Sequence, residues 1–187
     1  MRKKRIKRAI AALIVLLAIA ALMLNLNRII ASRYEILGAD VSHWQGDVDF
    51  SLLEQQGVRF AFIKATEGSA HVDEKFEENL ARVQGTDMKF GFYHFFSFDS
   101  LGETQAENYI ARVPALENLL PPVIDVEYYG DYFRHPPEIE PVQAQLRAMI
   151  DRLEAHYGKK PILYATQRAY RRYIQGAFDD CDLWIRS

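Results

Sequence analysis

Five strand–helix units followed by one more strand constrain this chain more than any other feature. Apolar, strand-like runs fall at residues 35–42, 60–66, 90–96, 123–127, 161–165 and 183–185. Helical spacing fills the gaps at residues 49–56, 73–84, 101–113, 142–157 and 169–174. Asp73 predicts an N-cap for the second helix, and Gly57, Gly85 and Gly158 follow helix ends. The 142–157 segment carries the clearest apolar stripe, with Leu146, Met149, Ile150 and Leu153 on one face. Strands that are apolar on both faces and alternate with helices predict a parallel sheet covered by helices. A doubly wound sheet and a barrel both satisfy that alternation.

Polar residues separate the two. They gather at the C-terminal ends of successive strands: Asp40 and Ser42, Lys64 and Glu67, Tyr93 and His94, Asp125 and Glu127, then Tyr164. Chemistry-bearing residues converging from many strand ends onto one rim is the barrel pattern. A nucleotide-binding sheet would instead carry a glycine-rich loop after its first strand. The sequence there is Asp40-Val41-Ser42-His43-Trp44-Gln45-Gly46, with neither G-x-G-x-x-G nor a Walker lysine.

Asp125 and Glu127 are the sharpest of these signals. Alternate residues of a strand share a face, so the two carboxyl groups point the same way while Val126 points the other. Side by side at the end of a buried strand, they repel each other and are poorly solvated. One of them is expected to hold its proton near neutral pH. A protonated carboxyl beside an ionised one is the requirement for cleaving a glycosidic bond.

The N-terminus predicts the compartment. Residues 1–8 form a basic run, and an apolar segment occupies residues 9–30. We read it as an uncleaved signal anchor with its basic end in the cytoplasm, a cleaved signal peptide being the alternative. The domain from residue 34 to residue 187 is then extracytoplasmic on a single-pass membrane protein. Residues 1–33 hold eight basic residues and no acidic ones, which leaves 15 basic against 25 acidic residues, a net of −10, in the rest. An acidic exported domain is a poor nucleic-acid binder. Cys181 is the only cysteine, so no intramolecular disulfide or cysteine-based zinc site is expected. His71, His135 and His156 show no metal-ligand spacing. No cofactor or metal is expected.

Six ordered motifs carry a family resemblance. Residues 38–46 (GADVSHWQG), 60–68 (FAFIKATEG), 91–96 (GFYHFF), 122–127 (PVIDVE), 161–164 (PILY) and 183–185 (LWI) resemble the successive strands of the glycoside hydrolase family 25 lysozymes. The resemblance implies an α/β fold, an irregular TIM-like (β/α) barrel. It implies cleavage of the β-1,4 bond between N-acetylmuramic acid and N-acetylglucosamine in the glycan strands of peptidoglycan. It also implies Glu127 as general acid; beside Asp125 at a buried strand end, its proton is expected to be held to higher pH than in a free glutamate. Asp125 would orient the substrate's acetamido group or balance the developing cation. Asp40 would be a further active-site carboxylate, and Tyr93 would line the reacting subsite. Attack by the acetamido oxygen and direct attack by a carboxylate both stay open.

Other residues read two ways. Trp44 and Tyr164 suit sugar contacts or packing, and Lys64 with Glu67 suits substrate binding or a structural ion pair. His94 is expected to be a hydrogen-bonded packing residue. Tyr128, Tyr129, Tyr132 and Phe133 suit sugar stacking or closure over the barrel. Family members continue through about two further strands beyond the sixth motif. The expectation is therefore an incomplete barrel whose first and sixth strands are edges. A catalytically weak or inactive peptidoglycan-binding domain is the alternative to an active muramidase, and another barrel glycosidase is a third reading.

Overall fold

The computed structural model describes Ile14, Val15 and residues 35–186. Apart from those two residues, the expected signal anchor lies outside the described residues. Among the described residues no helix is long and apolar enough to cross a membrane. Residues 38–187 form one compact unit.

Seven strands make one sheet: β1 (Leu37–Val41), β2 (Val58–Glu67), β3 (His71–Val72), β4 (Lys89–Phe95), β5 (Val123–Val126), β6 (Ile162–Thr166) and β7 (Leu183–Arg186). Their spatial order is β1-β2-β4-β5-β6-β7, with β3 paired only to β2. The β2–β4, β4–β5, β5–β6 and β6–β7 pairs are all parallel. Chain order and spatial order coincide, so the winding never reverses. That excludes the doubly wound arrangement, which needs a reversal point.

The sheet is curled, and one aromatic contact demonstrates it. Four interstrand steps of about 4.8 Å would hold β2 and β7 about 19 Å apart in a flat sheet. Yet Phe62 of β2 and Trp184 of β7 have ring centroids 5.6 Å apart. The two strands face each other across the concave side, in the manner of a partly wrapped barrel.

The strands are not apolar on both faces, as the sequence suggested. Ile63, Ala65, Ile124, Val126, Leu163 and Ala165 point outward and are buried. They meet a helical layer formed by α1 (Phe50–Gln55), α2 (Phe76–Val83), α3 (Gly102–Ile110) and α4 (Ile139–Tyr157). The concave face carries Lys64, Tyr93, Asp125 and Tyr164 instead. In α4, Leu146, Met149, Ile150 and Leu153 are all fully buried, so the predicted stripe is the buried one. Gly158 ends that helix in the left-handed conformation, at φ 65°.

Two local expectations change. Asp73 caps the turn that leads into α2 rather than the first residue of the helix, which starts at Phe76: its Oδ1 accepts from the Lys75 backbone N–H at 3.0 Å and its carbonyl oxygen from the Phe76 N–H. Its buried carboxylate accepts from the His43 backbone N–H at 3.2 Å and lies 2.7 Å from His43 Nδ1. That long-range pairing ties α2 to the loop after β1. Second, β2 contains an irregularity between Lys64 and Thr66. The extra residue turns Thr66 to the helix side, where its hydroxyl lies 2.7 Å from His94 Nδ1. His94 Nε2 lies 3.1 Å from Gln105 Oε1, which also accepts from the Ser97 backbone N–H at 2.8 Å. Burial lowers the His94 pKa to about 4. His94 is therefore the neutral, hydrogen-bonded packing residue expected of it, and it locks the end of β4 to α3.

Candidate active site

The concave face opens into a cleft of about 780 Å³ at the C-terminal ends of the strands. Strand pairing aligns one layer of it. Phe95 pairs with Asp125, Asp125 with Tyr164, and Tyr164 with Trp184. All four line the cleft. A parallel sheet places paired residues on the same face, so register alone brings residues from four strands into one row.

Asp125 lies within β5, facing the cleft. Burial, then the charge of Glu127, pushes its pKa well above the ordinary aspartate value. Its Oδ1 is buried and finds no hydrogen-bond partner among the described residues. Glu127 follows the last residue of β5, and its side chain is 19% exposed. The expectation placed the retained proton on Glu127. The buried member of the pair is Asp125, because it lies within the strand while Glu127 lies one step past its end.

Arg186 of β7 approaches Glu127, with Nη1 at 3.4 Å from both carboxylate oxygens. The Glu127 charge raises the arginine's pKa. Sequence reasoning passed over Arg186, although a signal was present. It stands two residues after Trp184, by the same alternation that paired Asp125 with Glu127.

The remaining expected residues divide. Tyr93 and Tyr164 both line the cleft. Burial first, and then neighbouring carboxylate charge, raises both phenols above their ordinary value. Tyr164 meets Trp184 edge-on at 5.0 Å. Asp40 lies exposed on the β1 side of the cleft. Trp44 stands at the cleft wall, 82% exposed, on a turn built by Ser42 and Gln45. Lys64 lines the cleft but is held by Glu67, with Nζ 2.6 Å from Oε2. Glu67 itself lies outside the cleft lining, so the ion-pair reading accounts for its position.

The tyrosine cluster lies outside the cleft lining as well. Tyr128 is buried and packs near Phe98 and Tyr173. The Tyr129 hydroxyl accepts from the Phe98 backbone N–H at 2.9 Å, and its ring stacks on Phe98. Tyr132 donates to Asp99. These residues brace the loop after β4. Among the described residues no group of three or more His, Cys, Asp or Glu side chains is arranged to hold a metal ion.

Asp125 carries a measurable consequence. Its raised pKa means that, as pH climbs past about 4, the unfolded chain releases this proton first. The folded state then binds more protons, and stability falls as pH rises. Asp125→Asn is expected to raise the melting temperature at pH 7, by about 2–4 °C for each kcal/mol relieved. The gain should vanish below about pH 4, where aspartate is neutral in both states. Thermal melts of both proteins from pH 3 to pH 8 check this. An equal offset at every pH would show that the asparagine acts through packing.

Residues 39–187 match the family described as glycosyl hydrolases family 25. A solved family 25 glycosyl hydrolase from Bacillus anthracis is 57% identical, with a TM-score of 0.82 over 83% of this chain and 71% of that one. The Escherichia coli O6:H1 protein YegX is 31% identical over 161 residues, covering 83% of this chain and 57% of its own length. Lysozyme M1 of Streptomyces globisporus is 35% identical over 97 residues, covering 50% of this chain and 33% of its own length. The chain thus spans little more than half of YegX and a third of Lysozyme M1.

Proposed function

Because the chain belongs to family 25 of the glycosyl hydrolases, we propose that it hydrolyses peptidoglycan at the β-1,4 bond between N-acetylmuramic acid and N-acetylglucosamine, outside the cytoplasmic membrane, in wall turnover or remodelling. The observation that carries this reading is the Asp125–Glu127 pair, set at the end of β5 in a 780 Å³ cleft walled by Tyr93, Tyr164 and Trp184. The resemblance to a protein named lysozyme supports the choice of peptidoglycan.

Glu127 is the general acid in this reading. It is the more accessible of the two carboxyls, placed to meet the leaving oxygen. Asp125 serves the reacting sugar. Its unpartnered Oδ1 accepts the acetamido N–H, whether or not the carboxyl carries its proton on Oδ2. On the substrate-assisted route, the acetamido oxygen attacks the anomeric carbon as the glycosidic bond breaks. Glu127, loaded with a proton from solvent before the step, gives it to the leaving oxygen; water then opens the ring that has formed and returns a proton to Glu127. On the direct route, a carboxylate takes the place of the acetamido oxygen. Asp40 flanks the cleft from β1 and adds negative charge for the developing cation. Trp44, Tyr93 and Tyr164 offer ring faces and hydroxyls to the sugars, and Lys64 a charge held in place by Glu67.

The test is product analysis. Purified peptidoglycan is digested with the full chain, its new reducing ends are reduced with borohydride, and the alditols are identified by mass spectrometry. Muramitol ends are expected. Glucosaminitol ends would assign the other glycosidic bond, and wall binding without new ends would select the inactive binding domain.

A further inference from the structure

Among the described residues two cations line the cleft, and they differ in availability. Lys64 is buried and held by Glu67 at 2.6 Å. Arg186 is 61% exposed and engages Glu127 through Nη1 alone. Its Nη2 and Nε make no hydrogen bond among the described residues. Both Glu127 contacts, at 3.4 Å, are longer than an ordinary N–H···O bond. An exposed pair of this kind is easily exchanged for a better one. A guanidinium fork matches a carboxylate with two parallel hydrogen bonds, which is a stronger arrangement than one nitrogen shared between two oxygens.

The surroundings make a cation here necessary for an anionic ligand. Asp40, Tyr93, Asp125, Glu127 and Tyr164 face the same cleft from β1, β4, β5 and β6. The chain beyond residue 33 has 15 basic against 25 acidic residues. A negatively charged strand entering this cleft is repelled unless a local positive group offsets the field. Arg186 stands on the strand face that also presents Trp184, whose ring meets Tyr164. A sugar against that aromatic wall would carry its substituents toward the guanidinium.

Muramic acid supplies such a substituent. Its lactyl ether ends in a carboxyl group, which is an uncharged amide where a stem peptide is attached and a free carboxylate where the peptide has been removed. We infer that Arg186 is a specificity-determining residue that takes the free lactyl carboxylate of muramic acid, exchanging its contact with Glu127 for a two-pronged one, so that the cleft favours glycan strands stripped of stem peptides. This inference rests on the muramidase reading and names the form of substrate within it.

The experiment compares two preparations of peptide-free glycan strands. One keeps its lactyl carboxylates, and in the other they are capped as methylamides. The wild-type chain is expected to show a KM about tenfold lower on the free carboxylate, the scale of one charge-assisted pair, with kcat within about twofold. Arg186→Met should erase that preference by raising KM on the free form alone, and Arg186→Lys should restore part of it. A preference that survives Arg186→Met would overturn the proposal. So would a kcat loss of equal size on both preparations, since that would make Arg186 only a support for Glu127. Binding of both preparations to Glu127→Gln, with and without Arg186→Met, reads the same preference without turnover. Tighter binding of the free form that disappears with Arg186→Met supports the assignment even if the wild type releases no reducing ends. In that case the muramidase reading alone is lost. Equal binding of both forms by Glu127→Gln overturns the assignment.

Discussion

Glu127→Gln lowers reducing-end release from peptidoglycan by about 10²–10⁴-fold, the usual contribution of a positioned general acid, while strand binding stays within about twofold of wild type. Glutamine keeps the shape of the side chain and can still donate a hydrogen bond. It cannot deliver a proton to the leaving oxygen and then recover it from water. The side chain is 19% exposed and among the described residues makes only the two long contacts with Arg186, so the substitution leaves little else behind. The fold does not depend on the carboxylate, because an exposed ion pair of this geometry contributes about 0–1 kcal/mol. Reducing-sugar release and pull-down on purified walls, measured side by side, check both halves. Activity within about twofold of wild type would take Glu127 out of the acid role.

The largest effect on stability is expected at Gly102, far from the chemistry. Gly102 opens α3 where that helix crosses α4, and its backbone N–H donates to Gln145 Oε1 at 2.7 Å. A Cβ at this position would lie 1.9 Å from the Gln145 carbonyl oxygen and 2.8 Å from its carbonyl carbon. Both obstacles are backbone, so no rotamer change relieves them. Alanine is the better helix former by about 1 kcal/mol, but overpacking of this kind costs about 1–3 kcal/mol and sometimes more. The steric term wins because the two helices must separate. Gly102→Ala is expected to destabilise the fold by about 2–4 kcal/mol net, or roughly 5–15 °C in melting temperature for a chain of this size. Glu103→Ala, an exposed change on the next residue, should stay within about 0.5 kcal/mol. Thermal melts of the three proteins decide it, and equal melting temperatures would show that the α3–α4 contact yields to the added methyl group. The effect should reach the cleft, since Gln105 of the same helix holds His94 and Ser97 at the end of β4.

Periodicity made much of the fold legible. The order of strands and helices, the buried stripe of α4 and the convergence of Asp40, Lys64, Tyr93, Asp125 and Tyr164 on one rim all follow from local spacing. Alternation in a strand assigns faces within a few residues, and that information is carried by neighbours in the chain. Asp73 shows the limit of the same reasoning. Its local capping role is kept, with Oδ1 on the Lys75 backbone N–H, but Oδ2 is held by His43, 30 residues away, which no local signal announces. The hairpin strand β3 went unread because two residues are too few for periodicity to register.

What the sequence determined by itself is therefore the winding, the rim and the paired carboxylates. Tertiary structure decided how those parts meet. Curvature brought Phe62 against Trp184, which a flat sheet would hold about 19 Å apart. Depth decided that Asp125, inside the strand, is the buried carboxyl, and that Glu127, just past its end, is the accessible one. Closure of β7 onto β6 set Arg186 beside Glu127, 59 residues earlier in the chain. Local spacing specifies which face a side chain takes. How deeply it lies, and what it meets there, depend on strands far apart in sequence, and those distances exist only once the sheet has curled.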